Sequence, residues 1–245
     1  MLKHSTLSLM LLPKKIDDGL KDAIVSLKFI SNLPKGTELG VFYLKFKDFL
    51  KPIKIPNPTF VPGSNLVIEK QSNNFLSQDE NFRIEFNSGE IIFNIQKVYK
   101  GWEEFFGFIR IVVIRLFDED IITGVYRIGL RYISQFENIS IFDKVNAKIS
   151  LDLVEGDVRG QSRFELSKDD FFIILSMSNK QVVPKEYSKA EFISIIDIDV
   201  IKDFSTIELS QSIVFEKITE AHTLEKEIFF GLLKNDFLKT LNPEY

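Results

Sequence analysis

The sequence predicts an α+β protein with antiparallel-dominated sheets, few helices and a long C-terminal helix. Three observations lead there. Apolar and polar residues alternate with period two in many segments, as at Phe82, Ile84, Phe86 and again at Ile91, Phe93, Ile95, which marks strands with one buried face. Helical spacing of three and four occurs in three segments only. The composition, 44% hydrophobic and 27% charged over 245 residues, is that of a globular chain able to bury a core without staples.

The elements follow in order. Residues 22–30 are apolar and β-branched and read as a strand. Apolar residues at Leu39, Phe42, Phe46 and Leu50 predict a helix over 38–50 with Thr37 as its N-cap. Four prolines between 51 and 63 (Pro52, Pro56, Pro58 and Pro62) forbid helix or central strand there and predict an extended connector. A short strand over 65–69 precedes a hairpin, 82–86 and 91–95, turned by Asn87-Ser88-Gly89. Trp102, Phe105, Ile109, Val112 and Leu116 predict a buried helix over 101–117, and 121–133 returns to a strand. Alternation at Val145, Ala147, Ile149, Leu151 and Leu153 predicts another strand, followed by strands at 164–166, 171–177 and 191–200. A stripe of Val214, Ile218, Ala221, Leu224, Ile228 and Leu232 predicts one helix over 210–241, ended by Pro243. Residues 1–140 thus form a β-α-β-β-β-α-β portion, ferredoxin-like with an extra strand. Residues 141–245 form a β-rich portion closed by the helix, and the two pack as one compact unit.

Several classes of function are excluded. With no cysteine, the chain has no disulfide, thiolate nucleophile or Cys-based zinc site. It has no H-E-x-x-H motif and no Ser-His-Asp order, and its twelve glycines form no phosphate-cradling loop. That argues against a standard hydrolase, kinase or dehydrogenase and implies no cofactor. No apolar run approaches the ~20 residues of a membrane helix. The opening Leu7, Leu9, Met10, Leu11 and Leu12 stretch is broken by serines, and Pro13-Lys14-Lys15 stands where small residues would mark signal cleavage. A retained N-terminus and a cytoplasmic location are expected.

Charge is uneven. Residues 1–140 carry 18 Lys/Arg against 16 Asp/Glu, and residues 141–245 carry 13 against 19, giving one basic and one acidic region. In a strand, Arg127 and Arg131 share a face on either side of Gly129, roughly 13 Å apart. With Arg83 they are the candidate anion or nucleic-acid site. The competing reading pairs these arginines with carboxylates such as Glu85. Asp197 and Asp199, on one face roughly 7 Å apart, are the candidate metal ligands of a nuclease-like site. D-x-D alone is a weak pattern, however, and a solvated end of the strand or salt bridges to the arginine shelf are the favoured alternatives. His222, with Glu225 one turn on, offers a base with an orienter or, more plainly, a surface histidine beside a glutamate. His4 lies near the terminus. Tyr126, Tyr132, Phe82 and Phe86 offer a base-stacking platform or, by default, core packing for a chain with 24 phenylalanines.

Four stretches carry a resemblance: Asp22-Ala23-Ile24, Tyr99-Lys100-Gly101-Trp102-Glu103-Glu104-Phe105, Arg127-Ile128-Gly129-Leu130-Arg131-Tyr132-Ile133, and Phe229-Phe230 on the closing helix. Together they resemble a sporadically distributed family of uncharacterised bacterial cytosolic proteins of similar size. The resemblance implies a conservative single-unit architecture and a bacterial cytosolic setting, and implies no catalytic residue. The functional expectation is a non-enzymatic binding or regulatory module acting through protein partners or self-association. The alternatives are a nucleic-acid binder using the arginine-bearing strand and a metal-dependent nuclease.

Overall fold

The computed structural model describes residues 12–13, 16, 19–34, 36–53, 58–60, 67–69, 73–147, 158–182, 190–208 and 210–245. Strand β1 (Leu20–Ile30) alternates as its sequence requires, with Ala23, Val25, Leu27 and Phe29 buried. Helix α1 (Glu38–Phe46) is shorter than its apolar spacing suggests. Phe49 N–H donates to Phe46 O (2.9 Å), turning the chain so that Leu50 enters β2 (Leu50–Ile53). Thr37 occupies the N-cap position without capping, since its hydroxyl donates to Pro34 O (2.7 Å). The buried Glu38 carboxylate instead accepts Gly36 N–H (2.9 Å) and the Ser88 hydroxyl (3.1 Å).

Of the proline connector and the 65–69 segment, residues 51–53 belong to β2, and β3 (Pro58–Phe60) and β4 (Val67–Glu69) pair as a separate ribbon; the rest lies outside the described residues, as does His4. Strand β5 (Asn74–Ser77) has too few residues to show a period. The hairpin of β6 (Phe82–Asn87) and β7 (Glu90–Ile95) forms as its alternation predicts. Gly89, at φ 79°, completes its two-residue loop in a conformation that favours glycine.

Helix α2 (Trp102–Asp118) buries Phe105, Phe108, Ile109, Val112, Val113 and Leu116. Strand β8 (Gly124–Glu137) begins three residues after the predicted start, because Ile121 and Ile122 are buried in the turn leaving α2. Residues 145–147 are no strand among the described residues; Val145 makes only an isolated bridge to Leu233, and 148–153 lie outside them. Strands β9 (Gly160–Lys168), β10 (Phe171–Val182) and β11 (Phe192–Glu208) follow.

The expected single helix over 210–241 is two: α3 (Gln211–Leu232) and α4 (Asn235–Thr240). The break has a local cause. The Asn146 side-chain amide donates to Gly231 O (2.9 Å) and Leu233 O (3.1 Å), and Lys234 N–H donates to Lys144 O (2.8 Å). These bonds hold Leu233 extended (ψ 138°) and cap the helix end.

Among the described residues, nine strands form one antiparallel sheet in the order β2-β5-β6-β7-β1-β8-β11-β10-β9. The sheet runs across residue 140, because β8 pairs with β11. The helices lie on one face. Phe42 of α1 stacks on Phe86 (4.3 Å), Phe108 of α2 on Phe82 (4.8 Å), and α3 packs over β8 and β11. The other face carries Asp22, Ser26, Lys28, Arg127, Arg131, Asp197 and Asp199. Pro52, which lacks a donor, sits in β2 at the sheet margin, where no ladder bond is lost. No helix among the described residues is long and apolar enough to cross a membrane.

Gly19 is fixed by contact. A Cβ there would lie 1.7 Å from Gln135 O, and Gln135 N–H donates to Gly19 O (2.9 Å). Gly19→Ala is expected to force β1 off β8 at its first residues and destabilise by roughly 1–3 kcal/mol, read as a lower urea midpoint.

Candidate functional site

The structure brings the charged candidates of the sequence onto one face of the sheet and pairs most of them. Arg127 lies directly across from Asp203, and its Nε and Nη2 donate to the two carboxylate oxygens at 2.5 and 2.9 Å. Arg131 lies across from Asp199 but forks diagonally onto Asp197, at 2.8 and 2.6 Å. The partners are thus aspartates of β11; Glu85 accepts from Asn87 Nδ2 (3.0 Å) instead. Bidentate geometry is the strong form of this pair, and the Arg127 guanidinium holds the Asp203 carboxyl below the usual carboxylate range. All four side chains retain solvent, so each fork contributes about 0–1 kcal/mol.

Asp199 is left beside its neighbours without a fork, and burial pushes its carboxyl up, against the opposing pull of Arg131. Burial likewise raises Asp22, which accepts from Asn94 Nδ2 (3.4 Å) and feels both Arg83 and Arg131. Arg83 shares the face but is three strand spacings from Arg131 (order β6-β7-β1-β8), roughly 14 Å. Its Nε and Asp22 Oδ1 are buried without hydrogen-bond partners. Gly129 lies between the arginines, and a Cβ there would meet Ser26 Oγ at 2.7 Å. A phosphate approaching Arg127 or Arg131 would have to displace an aspartate. Among the described residues no group of three or more His, Asp or Glu side chains is placed to hold a metal ion.

Of the aromatic candidates, Tyr132, Phe82 and Phe86 are core residues under the helices, whereas Tyr126 is exposed. A register shift between Lys28 and Phe29 lifts Tyr126 out of alternation.

On the helix side lies a cleft of about 720 Å³ between the N-terminus of α2 and the middle of α3, with Leu20, Tyr132 and Ser134 among its lining residues. Each element supplies its part for a local reason. Gly101 takes φ 113° at the head of α2, a conformation only glycine adopts readily, and so sets Trp102 at the cleft rim. On α3, His222 lies one turn after Ile218 and beside the buried Ala221, at the flank of the core stripe.

His222 stacks flat on Trp102, the only tryptophan, with ring centroids 4.0 Å apart and planes 4° apart. It is therefore not the surface histidine its sequence context suggested. Trp102 is also nearly parallel to Phe106 (4.9 Å, 8°). Tyr99 and Tyr132 hydroxyls hydrogen-bond at 2.9 Å beside this stack. Burial lowers the His222 pKa to about 3, with Lys226 contributing further, so the ring is neutral at physiological pH. Its nitrogens make no hydrogen bond among the described residues, and neither is sealed from solvent. Glu225, one turn beyond, is buried (5% exposed) at the cleft wall. Lys97, Lys100 and Lys226 stand at the rim, the first two paired with Glu80 (3.0 Å) and Glu104 (3.1 Å).

Sequence reasoning singled out His222 and Glu225 by their i, i+3 spacing but missed the Tyr99–Tyr132 pair and the stack on Trp102. Those contacts join residues over 30 and over 100 positions apart, and no local period carries them. Comparison with protein-family models, with curated proteins and with solved structures finds no match for the chain.

Proposed function

We propose that the protein is a non-enzymatic binding or regulatory module whose ligand sits in the cleft beside Trp102 and His222. The observation that carries this reading is the flat Trp102–His222 stack opening onto a concave, aromatic-lined site of ligand size. The chemistry of the lining favours a planar, mostly apolar ligand bearing an anionic group. Rings of Trp102, Tyr132, Phe229 and Phe230 offer faces and edges, while Lys226 brings a positive charge to the rim beside Lys97 and Lys100, whose charges are already met by Glu80 and Glu104. Binding is favoured over catalysis because an imidazole that protonates only near pH 3 is too weak a base to move protons at neutral pH.

The order β8-β1-β7-β6, with α1 following β1 and α2 joining β7 to β8, supports reading this portion as a ferredoxin-like unit widened by β5 and β2. A fold of this kind hosts many functions and assigns none by itself. A chain without cysteine suits a reducing compartment such as the cytoplasm. A nucleic-acid role through Arg83, Arg127 and Arg131 has less support, since two of the three guanidiniums are already forked by aspartates.

The single tryptophan provides the test. Titrating the protein with flavin mononucleotide, adenosine monophosphate and a naphthalene sulfonate is expected to give saturable quenching of Trp102 by at least one of them. That quenching should weaken with salt and be lost in His222→Ala, with the circular dichroism of the fold unchanged. No saturable response to any of the three at millimolar concentration, or an undiminished response in the variant, would remove the cleft reading.

A further inference from the structure

The two borders of the sheet differ. At one, β2 is four residues long and contains Pro52. At the other, β9 runs for nine residues, all half-exposed or exposed, with no described strand or helix along its outer side. Phe164 and Leu166 project from its helix-side face at 39% and 46% exposure. A strand of this length that no described element covers presents N–H and C=O groups to any chain that matches it.

The hairpin turn fixes which groups those are. Asp169 and Asp170 both take left-handed φ (50° and 66°), the signature of a type I′ turn, in which Phe171 N–H bonds back to Lys168 O. Counting from that pair in alternation, Lys168, Leu166, Phe164, Ser162 and Gly160 direct their backbone groups to β10. Gln161, Arg163, Glu165 and Ser167 direct theirs outward.

We propose that β9 pairs antiparallel with β9 of a second copy of this chain, about a two-fold axis through Phe164 normal to the sheet. Phe164 is the midpoint of Gly160–Lys168, so this register uses the whole strand. It sets Arg163 against Glu165 of the partner and Glu165 against the partner's Arg163. Within one chain these two side chains already attract, at 3.0 Å. The outward pairs Gln161–Ser167 and Arg163–Glu165 each exchange two backbone hydrogen bonds, twice over by symmetry. On the helix side, Phe164 meets its counterpart as a non-hydrogen-bonded pair, where side chains approach closest, and Leu166 lies diagonally against the same ring. Shifting the axis to Arg163 or to Glu165 would set like charges face to face, which disfavours those registers. A single strand pair is small beside the ~1,600 Å² of a stable complex, so a concentration-dependent dimer is expected.

Sedimentation velocity over a range of protein concentrations tests this directly. The native chain is expected to shift from monomer to dimer, and Arg163→Glu and Glu165→Arg each to stay monomeric with unchanged melting temperature. The double variant R163E/E165R restores opposite charges in this register and is expected to dimerise again. Mixing the two single variants is likewise expected to give a heterodimer, since each supplies the charges the other needs. A native chain that remains monomeric at several hundred micromolar, dimers that survive in both single variants, or a double variant that fails to recover would each overturn the proposal.

Discussion

Phe42→Ala is expected to lower the free energy of unfolding by roughly 3–5 kcal/mol, enough to threaten a fold whose total stability is of order 5–15 kcal/mol. Phe42 is fully buried and touches three other rings: Phe46 at 4.4 Å, Phe86 at 4.3 Å and Phe75 edge-on at 4.9 Å. Those partners come from α1, β6 and β5, so one side chain joins the helix to the two strands beneath it. Truncation leaves a cavity that surrounding aromatics cannot close without leaving their rotamers. The measurement is a urea titration in which the midpoint falls while the slope stays constant. Leu44, on the same helix but 61% exposed, is the control, and Leu44→Ala should move the midpoint little.

Acid should weaken the fold well above the pH at which carboxylates normally protonate, and His222 is the cause. Its ordinary pKa of 6.5 falls to about 3 in the folded chain. Below pH 6.5 the unfolded chain therefore binds a proton that the folded one refuses. Stability is lost as pH falls from about 6.5 toward 3, by up to about 1.4 kcal/mol per unit. Asp22 and Asp199 act in the opposite sense. Burial raises both, so on acidification they take up protons in the folded state before the unfolded carboxyls do, offsetting part of the loss. Asp203 and Asp79, both held low, add their own loss only below their ordinary value of 3.8. Between pH 7 and 5 the histidine dominates. Melting temperature should decline over that interval in the native chain and stay nearly level in His222→Phe, which keeps a ring against Trp102 but cannot titrate. Parallel curves for the two proteins would show that His222 does not carry the effect.

Much of the architecture was readable from period alone. Alternation at 82–86 and 91–95 locates a real hairpin, and three-to-four spacing from Trp102 onward locates α2, because both depend on which face of one element is buried. Boundaries were less readable. The apolar spacing from Leu39 to Leu50 runs past the helix end because Leu50 is buried equally well as the first residue of an edge strand. The predicted helix over 210–241 runs past Leu232 because Asn146, nearly ninety residues earlier, takes the carbonyls of Gly231 and Leu233 that would continue it. The arginine and aspartate faces were legible as faces, with pairing favoured over an open shelf, but which carboxylate each arginine takes was not. Arg131 forks onto the diagonal Asp197 and not onto Asp199 opposite, which depends on the β8–β11 register. The cleft was least legible, since it exists only where two helices separated by a hundred residues bracket the end of a sheet.

The unequal borders of the sheet bear on how the protein tolerates crowding. Joining two copies through β9 consumes both long margins and leaves outermost only two short ones, each interrupted by a proline that cannot donate a backbone bond. Among the described strands of the large sheet, such a pair offers no long margin to a third copy. Growth of the large sheet by its long margin therefore stops at two chains.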